Sequence, residues 1–171
     1  MKKDRSEHQG MLGFFSEKNM VQVPLNIISE WESIECIDNE IYVVENPSVF
    51  AAICKEKSCM CMNGQPRLAG LVTLDLLAAS GTVVYYAGDL DPEGLLIAQK
   101  ISKYYAGEFH YWHMALEDYE KSKSNEIISE KRIKSLERIT DVELFPVIEK
   151  MRIDRLAGYQ EKIEYENCCQ N

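Results

Sequence analysis

A run of apolar residues ends in two aspartates, a proline and a glycine, in the segment Tyr85-Tyr86-Ala87-Gly88-Asp89-Leu90-Asp91-Pro92-Glu93-Gly94. Alternate residues of a strand project to the same side, so the carboxylates of Asp89 and Asp91 are expected to point the same way. Pro92 fits the first turn of a helix, which predicts that a helix follows the pair. The two carboxylates would supply half of a magnesium site.

Short apolar runs alternate with helix-like segments on both sides of this motif. Strands are predicted over residues 41–44, 59–62, 82–87 and 108–113. Helices are predicted over residues 47–57, 67–79 and 92–106. Because parallel strands are joined by crossover helices, this order predicts an α/β fold with a parallel four-stranded sheet and helices on both faces.

The segments outside this unit are less regular. Residues 1–20 are polar and mixed, so we expect a flexible lead-in, and a short β-like run is predicted within residues 21–28. From residue 115 to about 166 the sequence is charged and helix-favouring, with Pro146 inside or between two helices. We therefore expect an α/β domain over residues 21–114 and a helical extension, without strands, over residues 115–171.

The extension carries apolar residues that can form one stripe. They are Leu136, Ile139, Val142, Leu144, Phe145, Ile148, Met151, Ile153 and Leu156. The stripe is available for the sheet or for a partner protein, and packing on the sheet is favoured because exposed apolar patches on monomers are small.

Size and composition favour one buried domain, because the chain has 171 residues, of which 46% are hydrophobic. No apolar run reaches the ~20 residues of a membrane span, and we expect a cytoplasmic protein without a membrane partner.

The cysteines are unevenly spaced, which favours reduced thiols. Cys59 and Cys61 lack a second ligand pair at zinc-like spacing, so we interpret them as strand residues.

The formal net charge of −9 argues against a nucleic-acid partner, since phosphates are usually neutralised by clustered Lys and Arg. The objection weakens if a bound metal ion cancels the field of several acids, and if another module supplies most of the DNA grip. The densest basic stretch lies between residues 121 and 138, where a solvated helix face is the usual explanation.

A third acid is predicted at the edge of the sheet that carries Asp89 and Asp91. Glu45 follows the first strand, and the carboxyl ends of parallel strands share one edge, where α/β proteins bind their ligands. Carboxylate oxygens suit Mg²⁺, and Mn²⁺ as well. The alternative is that each acid caps the helix that follows it, although Asp89 lies too far before Pro92 to be an N-cap.

Three further residues are weaker candidates for substrate binding. Gln65 and Arg67 follow the second strand and are placed to touch a phosphate, but a plain turn explains Gly64-Gln65-Pro66 equally well. Glu93 follows the aspartate pair, and an acid is equally at home in a first helical turn.

These motifs resemble the Toprim domain of topoisomerases, bacterial primases and overcoming-lysogenization-defect nucleases. The resemblance covers residues 41–113, with Glu45 after the first strand and Asp-x-Asp after the third. The Asp-x-Asp-Pro-x-Gly form is similar to that of the topoisomerase VI A subunit and its meiotic relative. Three segments also resemble the C-terminal domain of the bacterial family DUF2399, which is similar to the Toprim nuclease subunit of Wadjet plasmid-defence systems. They are Val44-Glu45-Asn46-Pro47-Ser48-Val49-Phe50, Asn63-Gly64-Gln65-Pro66 and Gly88-Asp89-Leu90-Asp91-Pro92-Glu93-Gly94.

The resemblance implies that Asp89 and Asp91 hold Mg²⁺ and that Glu45 is a general acid or base, or a metal ligand. It implies a DNA substrate and a nuclease in plasmid or phage defence. One rival is the catalytic part of a topoisomerase VI-like assembly, in which another segment or subunit supplies the nucleophilic tyrosine, because the segment before the first strand is too short for a winged-helix domain. A second rival is a DNA- or partner-binding module without turnover.

Overall fold

The computed structural model describes residues 1–3 and 6–163 of the chain. The N-terminal part pairs β1 (Lys2–Lys3) antiparallel with β2 (Ser6–Glu7), followed by α1 (Gln9–Ser16) and α2 (Leu25–Ile28). Within residues 1–20, where the sequence predicts a flexible lead-in, the structure thus has short strands and a helix, and α1 buries Met11 in the main core. The predicted β-like run within residues 21–28 is wrong, since residues 21–24 form no strand and the chain turns into α2 directly after Pro24.

A four-stranded parallel sheet forms the centre of the fold. Its strands, in spatial order, are β4 (Cys59–Cys61), β3 (Glu40–Val44), β5 (Val83–Ala87) and β6 (Phe109–Tyr111). Val44 pairs with Cys61 on one side and with Ala87 on the other, so these three strands end at the same level. The predicted α/β fold with a parallel four-stranded sheet is confirmed.

Helices cover both faces of this sheet. They are α3 (Pro47–Ile53), α4 (Leu68–Ala79) and α5 (Pro92–Tyr104). The chain crosses the sheet in one direction from β3 to β4 and in the other direction afterwards, so right-handed connections put α3 on one face and α4 with α5 on the opposite face. A small core of Val44, Val49, Ile53 and Ala87 lies under α3, and the larger core lies on the other face.

The C-terminal part contains both helices and strands. Its elements are α6 (Leu116–Ser122), β7 (Lys123–Ile127), α7 (Glu130–Ser135), α8 (Phe145–Asp154) and β8 (Leu156–Gly158). The expectation of no strand after residue 115 is wrong, because β7 pairs antiparallel with β8. The sequence of β7, Lys-Ser-Asn-Glu-Ile, lacks the alternation of apolar and polar residues that predicts a strand. It is a strand because it pairs with β8, about 30 residues later in the chain. Pro146 lies in the first turn of α8, where it begins the helix.

The predicted apolar stripe divides into a buried part and an exposed part. Leu136, Ile139, Leu144, Ile148 and Met151 lie in the same core as the inner residues of the sheet. Val142, Phe145 and Ile153 are 72%, 40% and 77% exposed. Among the described helices, none has the length and apolar character needed to cross a membrane.

Candidate functional site

Strands β3 and β5 end at the same level of the sheet, which brings the predicted acids together at one edge. The backbone N–H of Glu45 donates to the carbonyl of Ala87 at 3.0 Å, so Glu45 continues the ladder beside the aspartate turn. Gly88 leaves room for the glutamate, since a Cβ at this position would lie 3.0 Å from Glu45 Oε2. The Glu45 carboxyl therefore lies against the turn that carries Asp89 and Asp91.

Asp91 is the N-cap of α5, as the capping alternative expected for this residue. Its Oδ1 accepts from the backbone N–H of Gly94 at 2.7 Å. A Cβ at Gly94 would lie 2.1 Å from the carbonyl oxygen of Asp89, so only glycine allows the helix to start this close to the turn. The Asp-x-Asp-Pro-x-Gly spacing thus has a steric cause in the local backbone.

Glu45 does not cap α3, contrary to the capping alternative. Asn46 is the N-cap, because its Oδ1 accepts from the backbone N–H of Ser48 at 2.8 Å. Asn46 Nδ2 donates to Glu161 Oε1 at 2.9 Å. The Glu45 carboxylate is therefore left for a role other than helix capping.

A C-terminal segment, residues 158–161, covers the turn and was not predicted from the sequence. Leu90 and Gly158 exchange two backbone hydrogen bonds of 2.9 and 2.8 Å, and the backbone N–H of Gln160 donates to Asp89 Oδ1 at 3.0 Å. A Cβ at Gly158 would lie 2.4 Å from Ser122 Oγ, so only glycine allows the chain to pass this close to Ser122. In the sequence, Gly158 is the feature that could have indicated such a close approach. The segment holds Asp89 through backbone atoms, which no side-chain motif reveals.

Arg132 on α7 is the second feature that sequence reasoning missed. Its Nη2 donates to Asp91 Oδ2 at 2.5 Å and to Glu93 Oε2 at 2.6 Å. Its Nε donates to Glu93 Oε2 at 2.8 Å, and its Nη1 donates to Glu126 Oε1 at 2.8 Å. Hydrogen bonding by Glu93 and Glu126, together with the charges of Asp91 and Glu93, raises the pKa of the guanidinium. Arg132 is thus the counter-ion of the acidic edge.

Burial raises the pKa of all three acids, and neighbouring carboxylates add to the shift of each. The pKa of Glu45 rises to about 7, because burial removes water and because the charges of Asp89 and Asp91 oppose its ionisation. Burial also raises the pKa of Asp89, against the hydrogen bond from Gln160. The pKa of Asp91 is raised by burial as well, against its bond from Gly94 and the nearby charge of Arg132.

Several buried polar atoms near these acids have no hydrogen-bond partner among the described residues. They are Glu45 Oε2, Tyr86 Oη and both side-chain polar atoms of Gln160. Tyr86 and Gln160 are fully buried, and a Cβ at Gly88 would lie 3.0 Å from both Tyr86 Oη and Glu45 Oε2, so these two oxygens border the same space. A buried polar atom without a partner costs about 1–3 kcal/mol, which favours a polar ligand at this position.

The donor chemistry of the edge suits a hard cation, whereas the present arrangement is not a closed metal site. Glu45, Asp89 and Asp91 offer only carboxylate oxygens, which fit Mg²⁺. Across residues 1–3 and 6–163, however, no group of three or more His, Cys, Asp or Glu side chains is arranged to hold a metal ion. Arg132 provides one physical reason, because its guanidinium holds Asp91 Oδ2.

The weaker substrate-binding candidates lie in different places. The backbone N–H of Gly64 donates to the carbonyl of Glu45 at 3.4 Å, which puts the exposed Gln65 one residue from the acidic edge. Arg67 is exposed and precedes α4 without a side-chain cap. Glu93 is exposed and bonded to Arg132.

The cysteines on β4 are thiols that line the sheet. Burial raises the pKa of Cys59 to about 12 and also raises the pKa of Cys61. Cys61 Sγ donates to the carbonyl of Glu45 at 3.6 Å. Cys36 and Cys54 are also free thiols, and Cys168 with Cys169 lie outside the described residues.

Together, the fold and the edge define a class of protein: an α/β domain with a parallel sheet whose carboxyl edge carries three acids with raised pKa values and a bound arginine. Residues 21–166 match the family described as the C-terminus of a protein of unknown function, DUF2399. The match spans most of the chain, which therefore belongs to this family. No curated protein matches the chain.

Proposed function

We propose that this chain is a Toprim-like, Mg²⁺-dependent nuclease of the cytoplasm that cleaves DNA phosphodiesters. The observation that carries the proposal is the convergence of Glu45, Asp89 and Asp91 at one sheet edge, with Glu45 Oε2 buried and unpartnered. A structural role explains Asp91 as a helix cap, whereas Glu45 caps no helix and its Oε2 has no partner among the described residues, although its carboxylate accepts a backbone hydrogen bond from Asp89. The Toprim resemblance assigns function to the same three positions.

The three acids take different parts in this proposal. Asp89 and Asp91 would hold Mg²⁺ or Mn²⁺, and the ion would polarise the phosphoryl oxygens and stabilise the leaving oxygen. Glu45, with a pKa of about 7, exchanges a proton near neutral pH and suits a general acid or base. Arg132 has to release Asp91 Oδ2 before that oxygen becomes a metal ligand.

The same arginine favours a second candidate, a DNA- or partner-binding module without turnover. In that case the bonds from Arg132 to Asp91 and Glu93 are permanent, and the acids serve as a rigid surface. A divalent ion would then neither bind nor support cleavage.

Metal-dependent DNA cleavage tests the nuclease directly. The purified chain is incubated with supercoiled, linear and single-stranded DNA in Mg²⁺, in Mn²⁺ or in EDTA, and metal binding is measured by calorimetry. We expect cleavage only with a divalent ion, and a loss of at least about 100-fold in Asp89→Asn. Asp38→Asn is the matched control, because Asp38 precedes β3 at the opposite edge and asparagine tolerates its positive φ of 57°.

The outcomes separate the candidates. Free DNA ends that depend on Asp89 support a nuclease, whereas ends whose gel mobility changes after protease treatment show a topoisomerase-like covalent link. Metal binding and cleavage that are both absent, with DNA or partner binding retained, indicate the binding module. Equal cleavage by Asp89→Asn and Asp38→Asn would refute the assignment of the site.

A further inference from the structure

A surface groove beside α5 has a charge opposite to that of the chain as a whole. The groove has a volume of about 450 Å³ and is lined by Gln65, Leu96, Gln99, Lys100, Lys103 and Arg138. Three of the lining residues are exposed cations, and no carboxylate lines it. On a protein with a formal net charge of −9, this groove is a local concentration of positive charge.

Hydrogen bonds hold the two walls of the groove together. Gln99, only 7% exposed, accepts from the backbone N–H of Thr140 at 2.6 Å and donates to the carbonyl of Arg138 at 3.3 Å. Lys103 Nζ donates to Thr140 Oγ1 at 2.7 Å. These bonds fix the segment that carries Arg138 against α5. The backbone that carries these cations is therefore preformed, and the Lys103 amine is held in place, which lowers the entropic cost of binding.

The groove connects to the acidic edge through the loop after β4. Gln65 lines the groove, and the preceding residue, Gly64, donates its backbone N–H to the carbonyl of Glu45. A chain bound along the groove would reach the loop that borders Glu45. The basic groove and the acidic edge are thus adjacent, with opposite charges.

We propose that this groove binds the phosphate backbone of the DNA substrate and leads it to the acidic edge. The inference rests on the proposed nuclease function. Lys100 and Lys103 lie three residues apart on α5, about 4.5 Å along the helix axis, so both can contact phosphates of one backbone that lies in the groove. Cationic side chains flanked by amides suit phosphate oxygens, and contacts to phosphates carry no sequence information, so we expect binding there to be independent of sequence.

DNA binding without metal tests the groove separately from catalysis. Fluorescence anisotropy is measured in EDTA with a labelled duplex, over a range of salt concentrations. In the double variant Lys100→Glu/Arg138→Glu we expect affinity to fall at least about 10-fold and the salt slope to decrease by roughly 2, since each lost phosphate contact removes about 0.9. The control is Lys55→Glu/Lys121→Glu, which makes the same charge change at exposed residues that do not line the groove.

Each result either supports or overturns the proposal that the groove binds DNA. Weaker binding in the groove variant, with wild-type affinity in the control and equal thermal midpoints in all proteins, supports it. Equal losses of DNA affinity in both variants would show a general charge effect and overturn the groove proposal. The proposal is also overturned if the wild-type protein does not bind duplex DNA, or if it prefers RNA of the same sequence. Cleavage by the wild type together with unchanged binding by the groove variant rejects the groove alone, while groove-dependent binding without metal-dependent cleavage rejects the nuclease.

Discussion

Replacing Glu45 by glutamine is expected to stabilise the metal-free protein at alkaline pH. The folded-state pKa of Glu45 is about 7, compared with 4.5 for an ordinary glutamate. Because the folded pKa is raised, the stability associated with the protonated carboxyl is fully present below about pH 4.5 and is lost as pH rises through 7. Glutamine stays neutral and keeps nearly the same shape, so the variant avoids this loss.

The magnitude follows from the shift in pKa. Each pKa unit corresponds to about 1.4 kcal/mol, so the full shift is worth about 3 kcal/mol, and solvent screening of the partly exposed carboxyl reduces the expected difference to about 2 kcal/mol. Urea denaturation in EDTA at pH 4.5 and pH 8.5 measures it. We expect nearly equal free energies of unfolding at pH 4.5, and a variant that is about 2 kcal/mol more stable at pH 8.5.

Two controls make this result specific. Glu149→Gln, at an exposed position on α8, should leave the pH dependence unchanged. If the acids bind Mg²⁺, adding it at pH 8.5 should stabilise the wild type more than Glu45→Gln and so narrow the difference. A variant that is less stable than wild type at pH 8.5, or a difference that is the same at both pH values, would refute the argument that Glu45 is a buried, repelled charge.

Other substitutions test separate parts of the site. Arg132→Gln should raise the affinity for Mn²⁺ about 10-fold in calorimetry, because the competing guanidinium leaves Asp91; unchanged affinity would show that the arginine does not compete. Gly94→Ala should destabilise the fold by about 3 kcal/mol in urea denaturation, since its Cβ would overlap the Asp89 carbonyl, and a neutral effect would contradict the steric argument. Asn46→Ala should cost about 1 kcal/mol through loss of the α3 cap, and Asn46→Ser should cost less, because its hydroxyl keeps a cap acceptor without placing a second carboxylate beside Glu161.

The central sheet was predictable from the sequence because its signals are local. Each strand is a short apolar run, each helix begins near a proline or ends near a glycine, and the alternation leaves parallel pairing as the simple arrangement. The convergence of Glu45 with the aspartate turn followed from the same logic, since the carboxyl ends of neighbouring parallel strands share an edge. Residue periodicity and the order of elements along the chain were therefore enough to predict that Glu45 and the aspartate turn lie at the same edge of the sheet.

The parts that were missed depend on contacts distant in sequence. Arg132 lies 41 residues after Asp91, in a basic stretch that is indistinguishable in composition from a solvated helix face. β7 is polar and becomes a strand only through β8, and Gln160 holds Asp89 through a backbone N–H that any residue except proline supplies. Sequence patterns encode which side of an element is apolar, but they do not encode which distant polar group will meet which charge.

The charge distribution gives a physical reason why an acidic protein is suited to a phosphate substrate. Burial, together with neighbouring carboxylates, raises the pKa of Glu45, Asp89 and Asp91. Because the pKa of Glu45 is about 7, this residue is partly protonated at neutral pH, and the metal-free edge carries less negative charge than three isolated carboxylates would. Arg132 neutralises a further part of that charge. Each device lowers the repulsion that an approaching phosphate meets, and each is reversible, since a divalent cation would displace both the protons and the guanidinium. The acidic composition and the proposed nucleic-acid substrate are therefore compatible at this edge of the sheet.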